Sequence, residues 1–385
     1  MPHPPITLAG GGAAGLWCAL ALLDRGWSGD LLTVVDPDPK VADDHTWGYW
    51  ALHPLLPLGD HVSVTDRVVL REGGREVVAP TAPYRYYCLR SSRFYAFAKT
   101  RLREAGVAWQ RDGVTGFGER PDGVDVHLAS GDALPCAYAL DSRPPDLAAL
   151  DAAHNTTLQH FGGHYVRADG DCFPTDRVVF MDFVPAGPRE VAFFYVVPSS
   201  AREALVELAV LSAEPWDRAR YDVALDDYLA ERYGGASHEV VEREYGVVPM
   251  SDAPLWRAST ARVWAVGTRG GWVQLSSGYA FTRIARFARE TADLLAGDTP
   301  RAWRPSAVQQ VFNATMLRHV NERPREAGRV FVDLFVRNGA PRAFAFLDEG
   351  ASAAQTLRLM WNSPRVRFAD LAAREALARV FRRRG

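Results

Sequence analysis

An apolar segment, a glycine-rich turn and a second apolar segment open the chain. The run Ile6–Ala9 has the length of a short buried strand, and the glycines after it precede an apolar stretch that ends near Gly26. A second apolar run covers Leu31–Val35. The order strand, turn, helix, strand is that of a βαβ unit, so the pattern predicts that a parallel sheet begins here.

Further along the chain, the pattern of apolar positions predicts a mixture of strands and helices. Residues from about Leu158 to Met250 are rich in β-branched and aromatic side chains, which favours a second region built on a sheet. After Pro305 the pattern is mostly helical. The other predicted elements are a helix from Arg93 to about Glu104 capped by Ser91-Ser92, a three-stranded meander at Gly113–Phe117, Val124–Leu128 and Ala137–Asp141, a strand at Arg262–Val266 and a helix at Thr282–Leu295. A meander placed after a βαβ unit is, by analogy, more typical of a flavoprotein than of a dehydrogenase.

Composition narrows the possible partners. The chain has 385 residues, of which 48% are hydrophobic and 23% charged, and its formal net charge is −2. This length predicts two domains, and the charge balance lacks the basic excess that nucleic-acid binding requires. The four cysteines form no Cys-x-x-Cys pair, so we expect no metal site and, by default, a cytoplasmic protein. No apolar run reaches the roughly 18 residues of a membrane span, so any membrane contact is expected to be peripheral.

The glycine turn carries the first candidate chemistry. Glycines at such positions allow a tight turn and a close approach of the backbone to a pyrophosphate, whose charge the helix N-terminus attracts. Asp36 lies 21 positions after Gly15, near the spacing of an acid that binds ribose. The predicted cofactor-binding residues of this region are Gly10, Gly11, Gly12, Ala13, Ala14, Gly15 and Asp36. The pattern does not distinguish FAD from NAD, and the alternative is a glycine loop that serves packing only.

A polar and aromatic cluster, Asp44 to Trp50, follows the second predicted strand. Its tripeptide His45-Thr46-Trp47 resembles a tripeptide that the lycopene cyclases carry at this place. Similar matches run along most of the chain, and this collinearity is more specific than any single motif. They are Tyr86 to Tyr95, Ala139 to Arg143, Leu158 to Phe161, Phe194 to Pro198 with Ala204 to Glu207, Gly246 to Met250, Gly267 to Trp272 with Ser277 to Phe281, and Phe346 to Glu349.

The resemblance implies a fold and an activity. The fold is α/β, with a Rossmann-like FAD-binding domain of the glutathione-reductase type at 1–60, 85–157 and 258–300, a β-sheet substrate domain at 61–84 and 158–257, and a helical C-terminal region at 301–385. The activity is the non-redox closure of β-rings on lycopene or a related linear carotene at a membrane surface. Reduced FAD is the implied cofactor, with NAD(P)H as its reductant. Further cofactor-binding residues by this resemblance are His45, Thr46, Trp47, Gly267, Gly270, Gly271 and Gly278, and the candidate substrate-binding residues are Trp50, Trp272, Tyr279 and Phe281.

Glu207 is the candidate for proton transfer, and the resemblance places the functional glutamate of the family there. If Ala204 to Leu211 is a strand, Glu207 shares a face with apolar residues, and burial would raise the pKa of its carboxyl group. Such a group can donate a proton to an apolar substrate or remove one from it. The alternative is an exposed helical position, because Ser200 to Glu203 has the pattern of a capping box.

Two other functions remain open on the sequence. A flavin monooxygenase or prenyl-lipid reductase of the same fold would share the turn and the meander, but would usually carry Gly-Asp where this chain has Gly267-Thr268. A carotenoid-binding flavoprotein without catalysis is the second alternative. The chain also departs from many relatives at Arg269 and at Gln274 to Ser276, which leaves the end-group preference open. The basic amphipathic tail from Arg374 fits an anionic membrane surface or a solvated terminal helix.

Overall fold

The computed structural model describes residues 3–57, 63–146, 154–275, 277–305 and 307–348, together with 352, 355, 358, 359 and 374. Its strands are β1 (Ile6–Ala9), β2 (Leu32–Val35), β3 (Thr46–Ala51), β4 (Ser63–Thr65), β5 (Arg67–Glu72), β6 (Arg75–Pro80), β7 (Arg85–Arg90), β8 (Ala108–Gln110), β9 (Val114–Glu119), β10 (Val124–Leu128), β11 (Ala133–Cys136), β12 (Tyr138–Asp141), β13 (Thr156–Ala168), β14 (Val178–Val184), β15 (Val191–Pro198), β16 (Glu203–Ser212), β17 (His238–Ser251) and β18 (Val263–Ala265). Its helices are α1 (Ala13–Asp24), α2 (Ser91–Glu104), α3 (Arg218–Tyr233), α4 (Phe281–Ala296), α5 (Ala307–Glu322), α6 (Pro324–Asn338) and α7 (Ala340–Leu347). Glu349, Ser276 and the basic tail beyond Arg374 lie outside the described residues.

A five-stranded sheet in the order β18-β12-β1-β2-β8 forms the first layer. All of its strand pairs are parallel, so the predicted βαβ unit and parallel sheet are confirmed. Strand β1 is buried along its whole length, and α1 packs against α2 and α4. The carboxyl ends of β1 and β2 therefore meet beside the glycine turn, the edge where α/β sheets bind ligands.

The meander differs from the prediction in its third strand. Strand β10 pairs with β9 on one side and with β11 on the other, both antiparallel. The predicted third strand at Ala137–Asp141 instead supplies β12, which lies beside β1 in the parallel sheet. The physical reason is burial, because Ala139, Leu140 and Asp141 are buried, whereas β11 is mostly exposed.

A seven-stranded sheet in the order β17-β13-β16-β15-β14-β5-β6 forms the second region, and a small sheet β3-β7-β4 joins it to the first. Helix α3 covers one face of the large sheet, with Leu225 and Leu229 against Val206 and Leu208. The C-terminal helices cover the other face, on which Leu205 and Ala209 lie. The α/β class with a second sheet and a helical C-terminal region is thereby confirmed. Helix α3 was not predicted, although Asp217 caps it by accepting a hydrogen bond from the Arg220 N–H.

The N-terminus of α2 is capped differently from the prediction. Ser91 is the first helical residue, and its hydroxyl accepts hydrogen bonds from the backbone N–H groups of Asp44 and His45. Asp43 takes the capping role instead, since one carboxylate oxygen accepts the Ser92 N–H at 2.7 Å and the other accepts Arg90 Nε at 2.7 Å. The cap thus also fixes the loop that leads into His45-Thr46-Trp47.

Replacing Asp43 by alanine is expected to lower the free energy of unfolding by about 1 kcal/mol, the usual cost of losing a helix cap. Asp43→Asn should lose less, because an amide oxygen still accepts the Ser92 N–H. Denaturant unfolding of the two variants beside the parent protein measures both values. Equal losses for alanine and asparagine would contradict the capping role.

Candidate active site

The glycine turn between β1 and α1 leaves room for a ligand on one side and none on the other. Gly15 packs so closely that an added Cβ would lie 1.9 Å from the Gly10 carbonyl oxygen, and Gly10 itself has φ +104° beside Ser142. A Cβ on Gly12, by contrast, would meet no atom within 4 Å. Gly12 precedes the first turn of α1, which contains no acidic residue. This open space at a helix N-terminus fits a phosphate group.

Asp36 lies against the same turn. One oxygen of its carboxylate accepts the Gly11 N–H at 2.6 Å, and the other accepts the Asp38 N–H at 2.8 Å. The acid at the end of β2 therefore lies against the glycine turn. Its predicted contact with a ribose stays a prediction.

The segment from Gly267 to Phe281 connects the glycine turn with a cavity. Gly267 has φ +63°, and a Cβ there would lie 2.5 Å from the Ala14 Cβ, so the segment begins in contact with α1. It reaches the cavity at Gly278, whose φ is +73° and where an added Cβ would lie 1.8 Å from Gln159 Oε1. Gly270 and Gly271 form the turn between these points. Arg269, a departure from the family pattern, pairs with Asp141 at 3.0 Å at the end of β12.

Besides the indole N–H of Trp272, two buried polar side chains in this segment have no hydrogen-bond partner among the described residues. They are Gln274, both of whose amide atoms are unpaired, and Ser277, whose hydroxyl is unpaired. Unpaired buried polar atoms are rare in folded proteins and are costly. They fit a polar cofactor that follows the segment from the glycine turn to the cavity.

The cavity lies where the small sheet, the large sheet and the start of α4 meet, and it encloses about 150 Å³. Residues from β3, β7, β13, β15, β16, β17 and the loop before α4 line it. They are His45, Thr46, Trp47, Gly48, Tyr86, Cys88, Gln159, Phe161, Tyr195, Val197, Leu205, Glu207, Val248, Ser277, Gly278, Tyr279, Ala280 and Phe281. The wall is therefore mainly aromatic and aliphatic, and Glu207 is its acidic member.

Glu207 lies on a strand, as one of the two sequence interpretations required. It occupies the middle of β16, on the face that carries Leu205, Ala209 and Leu211. The capping-box pattern exists as a hydrogen bond from the Glu203 N–H to the Ser200 hydroxyl at 3.0 Å, but it closes the hairpin between β15 and β16 instead of starting a helix.

A second glutamate, Glu244 of β17, meets Glu207. Glu244 is buried, and its carboxyl group is close enough to that of Glu207 for the two to share a hydrogen bond when one of them is protonated. Burial, the charge of Glu244 and the shared hydrogen bond raise the pKa of Glu207 well above the usual carboxyl range. Burial also raises the pKa of Glu244. We therefore expect the pair to retain a proton at neutral pH, which makes proton donation chemically feasible at the cavity wall.

Three tyrosines form a second polar group at the cavity. The Tyr279 hydroxyl lies 3.2 Å from the hydroxyl of Tyr86 and 3.2 Å from that of Tyr195. Burial raises the pKa of all three hydroxyl groups well above the ordinary value, so they stay neutral. Neutral rings and hydroxyls present no anionic nucleophile to a cation, while aromatic faces attract one.

The four predicted substrate residues divide between the cavity and the core. Tyr279 and Phe281 line the cavity, and the Phe281 ring stacks on Trp47 at 4.7 Å. Trp50 lies behind the wall, where it stacks on Phe344 and donates its indole N–H to the Phe344 carbonyl oxygen. Trp272 is fully buried against Phe287 and Trp303, away from the cavity. Neither tryptophan lines the cavity.

Sequence reasoning did not identify Glu244, Tyr86 or Tyr195. Glu244 belongs to the run Glu239 to Glu244, whose charges resemble those of a solvated strand. Only the pairing of β17 with β13 reveals that Glu244 faces inward. Tyr86 and Tyr195 lie in aromatic segments that favour core packing, and no local signal separates them from their neighbours.

Within the part of the chain that the structure describes, no helix combines the length and the apolar character needed to cross a bilayer. The same residues contain no cluster of three or more His, Cys, Asp or Glu side chains arranged to hold a metal ion.

Comparisons with known proteins agree with this geometry. The family model described as lycopene cyclase protein matches residues 6–373. The sequence is 24% identical to a chloroplastic lycopene beta cyclase of Arabidopsis thaliana over 310 residues, which are 75% of this chain and 60% of the plant protein. The chain thus spans less than two thirds of the length of that relative.

Solved structures resemble the chain in fold. A geranylgeranyl bacteriochlorophyll reductase-like protein from Thermoplasma acidophilum has a TM-score of 0.63 and 11% identity, with 96% of this chain and 99% of that chain covered. A flavin-dependent brominase has a TM-score of 0.63 and 12% identity, with 92% and 97% covered. A flavoprotein/dehydrogenase from Cytophaga hutchinsonii has a TM-score of 0.61 and 10% identity, with 98% and 100% covered. The fold is that of the FAD-binding oxidoreductases and halogenases.

Proposed function

The chain belongs to the lycopene cyclase family, and on that premise we propose that it closes β-rings on the linear ends of lycopene or a related carotene, with Glu207 as the proton donor. The observation that carries this proposal is the position of Glu207. It is a half-buried carboxyl group in the wall of a mainly apolar cavity, where its surroundings raise its pKa well above the usual carboxyl range. An acid in such surroundings suits a hydrocarbon substrate, which offers no polar group to bind.

Ring closure requires that one proton is added to the carotene and that another is removed from it. The Glu207 carboxyl O–H bond breaks, and its proton forms a C–H bond with the terminal double bond of the carotene, which leaves a cation on the adjacent carbon. The neighbouring double bond then forms the ring C–C bond and moves the positive charge into the ring. A C–H bond beside that charge breaks, its electrons form the new C=C bond, and the proton returns to the carboxylate. The product has the composition of the substrate, so no net oxidation occurs.

The aromatic wall of the cavity would stabilise the carbocation and keep water away from it. Trp47, Tyr279 and Phe281 present ring faces, whose quadrupoles attract a positive charge. Their stacking also restricts water, which would otherwise add to the cation and give an alcohol. The cavity volume of about 150 Å³ admits an end of the polyene and not the whole molecule. One end group at a time would therefore react.

FAD fits the residues that are present. The open space at Gly12, the adjacent Asp36 and the unpaired Gln274 and Ser277 side chains form a polar track from the α1 N-terminus to the cavity. Gly10, Gly11, Gly12, Ala13, Ala14 and Gly15 would hold its phosphates, with Gly267, Gly270, Gly271 and Gly278 along the flavin. In its reduced form, for which NAD(P)H is the proposed reductant, FAD would supply negative charge beside the carbocation. His45, Thr46 and Trp47 would border its ring.

The carotene itself favours a membrane as the source of substrate, because such a hydrocarbon partitions into lipid. We therefore propose peripheral contact of a cytoplasmic protein with a membrane surface. Sedimentation of the purified protein with vesicles of anionic phospholipid tests this contact, and failure to sediment at low salt would contradict it.

Purified protein incubated with lycopene and a flavin reductant tests the proposed reaction. Cyclisation should give a product of unchanged mass in ordinary water. In heavy water the Glu207 proton exchanges with solvent, so the product should gain one deuterium for each ring formed.

The same measurement separates the alternatives. A prenyl-lipid reductase would add hydrogen atoms and a monooxygenase would add oxygen, so both would change the mass in ordinary water. A non-catalytic carotenoid-binding flavoprotein would return unchanged lycopene while still binding flavin. Any of these three results would overturn the proposed cyclisation.

A further inference from the structure

A row of four residues crosses the large sheet at the level of Glu207. Tyr195 of β15, Glu207 of β16, Gly163 of β13 and Glu244 of β17 are register partners on adjacent strands. Side chains at such partner positions project from the same face of a sheet. Glu207 and Glu244 therefore flank Gly163 on one face, separated by the width of one strand.

Gly163 is the reason why the two glutamates can meet. A Cβ at this position would lie 3.1 Å from the Glu244 Cγ, 3.4 Å from the Glu244 Oε1 and 3.0 Å from the Leu205 Cδ1. The side chain of Glu244 thus occupies the space that any other residue at 163 would fill. Glycine in the interior of a strand is unfavourable and often marks a close approach of other groups. Here the approaching group is a carboxyl.

Two hydroxyl groups supply the other contacts of Glu244. Its Oε2 accepts the Thr46 hydroxyl at 3.1 Å and the Tyr165 hydroxyl at 3.4 Å. Its Oε1 is buried and has no N–H or hydroxyl donor among the described residues. A proton shared with Glu207 would satisfy that oxygen, and it would also remove the repulsion between two neighbouring carboxylates.

We propose that Glu244 is a positioning residue that shares one proton with Glu207. This sharing keeps Glu207, the proton donor on the cavity side, in its protonated form. This inference rests on the proposed function of Glu207. The proton resides on Glu207, which faces the apolar cavity. The negative charge resides on Glu244, which has two hydroxyl donors and the side chains of Arg90 and His45 nearby. After donation, the two carboxylates face the carbocation, attract it and provide the base that takes the departing proton.

Several other ionisable groups face the two glutamates, and a charge on any of them would affect the titration of the pair. They are His45 before β3, Tyr86, Cys88 and Arg90 of β7, Tyr165 of β13, Tyr195 of β15 and Tyr279 before α4. Burial raises the pKa of the cysteine and of the tyrosines, so they stay neutral below pH 8. Arg90 and His45 remain in every variant used below.

Infrared spectroscopy of the FAD-loaded protein, labelled with carbon-13 glutamate and free of carotene, tests the shared proton directly. The parent protein should show the C=O band of a buried protonated glutamate that persists above neutral pH. In Glu244→Gln the anionic neighbour is gone and an amide N–H replaces it, so the band should disappear at a pH lower by at least about one unit. Glu239→Gln, an exposed acid of the same strand, should behave like the parent.

Gly163→Ala provides a second route to the same result. The added methyl group pushes the Glu244 side chain away from Glu207 without removing either carboxyl, so the band should again be lost at lower pH. In both variants the alkaline limb of the pH profile for ring formation should move in the same direction, and the rate at pH 8 should fall by about tenfold or more.

The outcomes separate this inference from the proposed function. A Glu207 band that titrates at the parental pH in Glu244→Gln and in Gly163→Ala would overturn the shared proton, whatever the activity. A shifted band in a protein that leaves lycopene unchanged would support the pair and reject the cyclase reaction.

Discussion

Replacing Glu207 by glutamine is expected to lower ring formation by at least about a hundredfold, the usual contribution of a positioned general acid. Glutamine keeps the size of the side chain, and its N–H can still bond to Glu244 across Gly163. It has no proton of sufficient acidity for an alkene. FAD content should stay at the parental level, because β16 does not contribute to the glycine turn. Chromatography of the pigments and the absorbance of bound flavin measure the two properties on the same preparation.

Glu203→Gln is the matched control for this experiment. Glu203 begins the same strand, but its side chain is about half exposed and pairs with Arg167 at the surface. The control should form rings at the parental rate. Parental ring formation in Glu207→Gln would remove Glu207 from the mechanism, and a loss in both variants would point to damage of the strand.

The same substitution should raise stability at neutral and alkaline pH. The folded state holds the Glu207 proton above the pH at which the unfolded chain releases it, because its pKa is raised on folding. The folded protein therefore binds more protons, and its stability falls as the pH rises from the unfolded carboxyl pKa, about 4.3, towards the folded value. Glutamine does not ionise, so the melting temperature of Glu207→Gln should exceed that of the parent at pH 8 and approach it at pH 4. An excess that is the same at both values would contradict this linkage.

Replacing Gly12 by valine is expected to leave a folded protein that has lost its FAD and all ring formation. A Cβ at Gly12 would meet no protein atom within 4 Å, so the side chain of valine can start in open space. It fills the space above the α1 N-terminus that we assign to the pyrophosphate. We expect the flavin content of the purified variant to fall by more than about tenfold, since the backbone can no longer approach the phosphates.

Gly170→Val controls for the substitution as such. Gly170 lies in a loop after β13, and a Cβ there also meets nothing within 4 Å. This variant should be purified with the parental amount of flavin, and circular dichroism should show both proteins folded. A yellow Gly12→Val protein with flavin bound would contradict the assigned phosphate site.

Much of the fold follows from patterns that are local in sequence. The βαβ unit, α2, α4 and β10 come from periodicity and from turn residues, and these signals do not depend on distant partners. The prediction is wrong or ambiguous where a strand that is distant in sequence determines the local structure. Ala137–Asp141 looks like a hairpin strand, but burial beside β1 places it in the parallel sheet. Ser200 has the pattern of a helix cap, yet the pairing of β15 with β16 turns the same hydrogen bond into a hairpin turn.

The candidate site divides in the same way. The glycine turn and Asp36 are contiguous motifs with a known spacing, and Glu207 is marked by a strand pattern together with the family resemblance. No sequence motif, spacing or family resemblance identifies Glu244. Its role depends on the register of β17 against β13 and on a missing side chain at Gly163, and both are properties of the folded sheet. Trp272 differs again, because this tryptophan of a family motif is buried in the core.

The contact between Gly267 and Ala14 has a consequence for how the protein matures. The first strand and its turn leave the ribosome early, but β18 and the segment that packs on α1 are synthesised only after the whole large sheet. The nascent chain therefore carries half of a nucleotide pocket through most of its synthesis, and contacts so distant in sequence form slowly. Acquisition of the flavin is accordingly expected to be a late step, and polypeptides stopped before Val263 should emerge colourless.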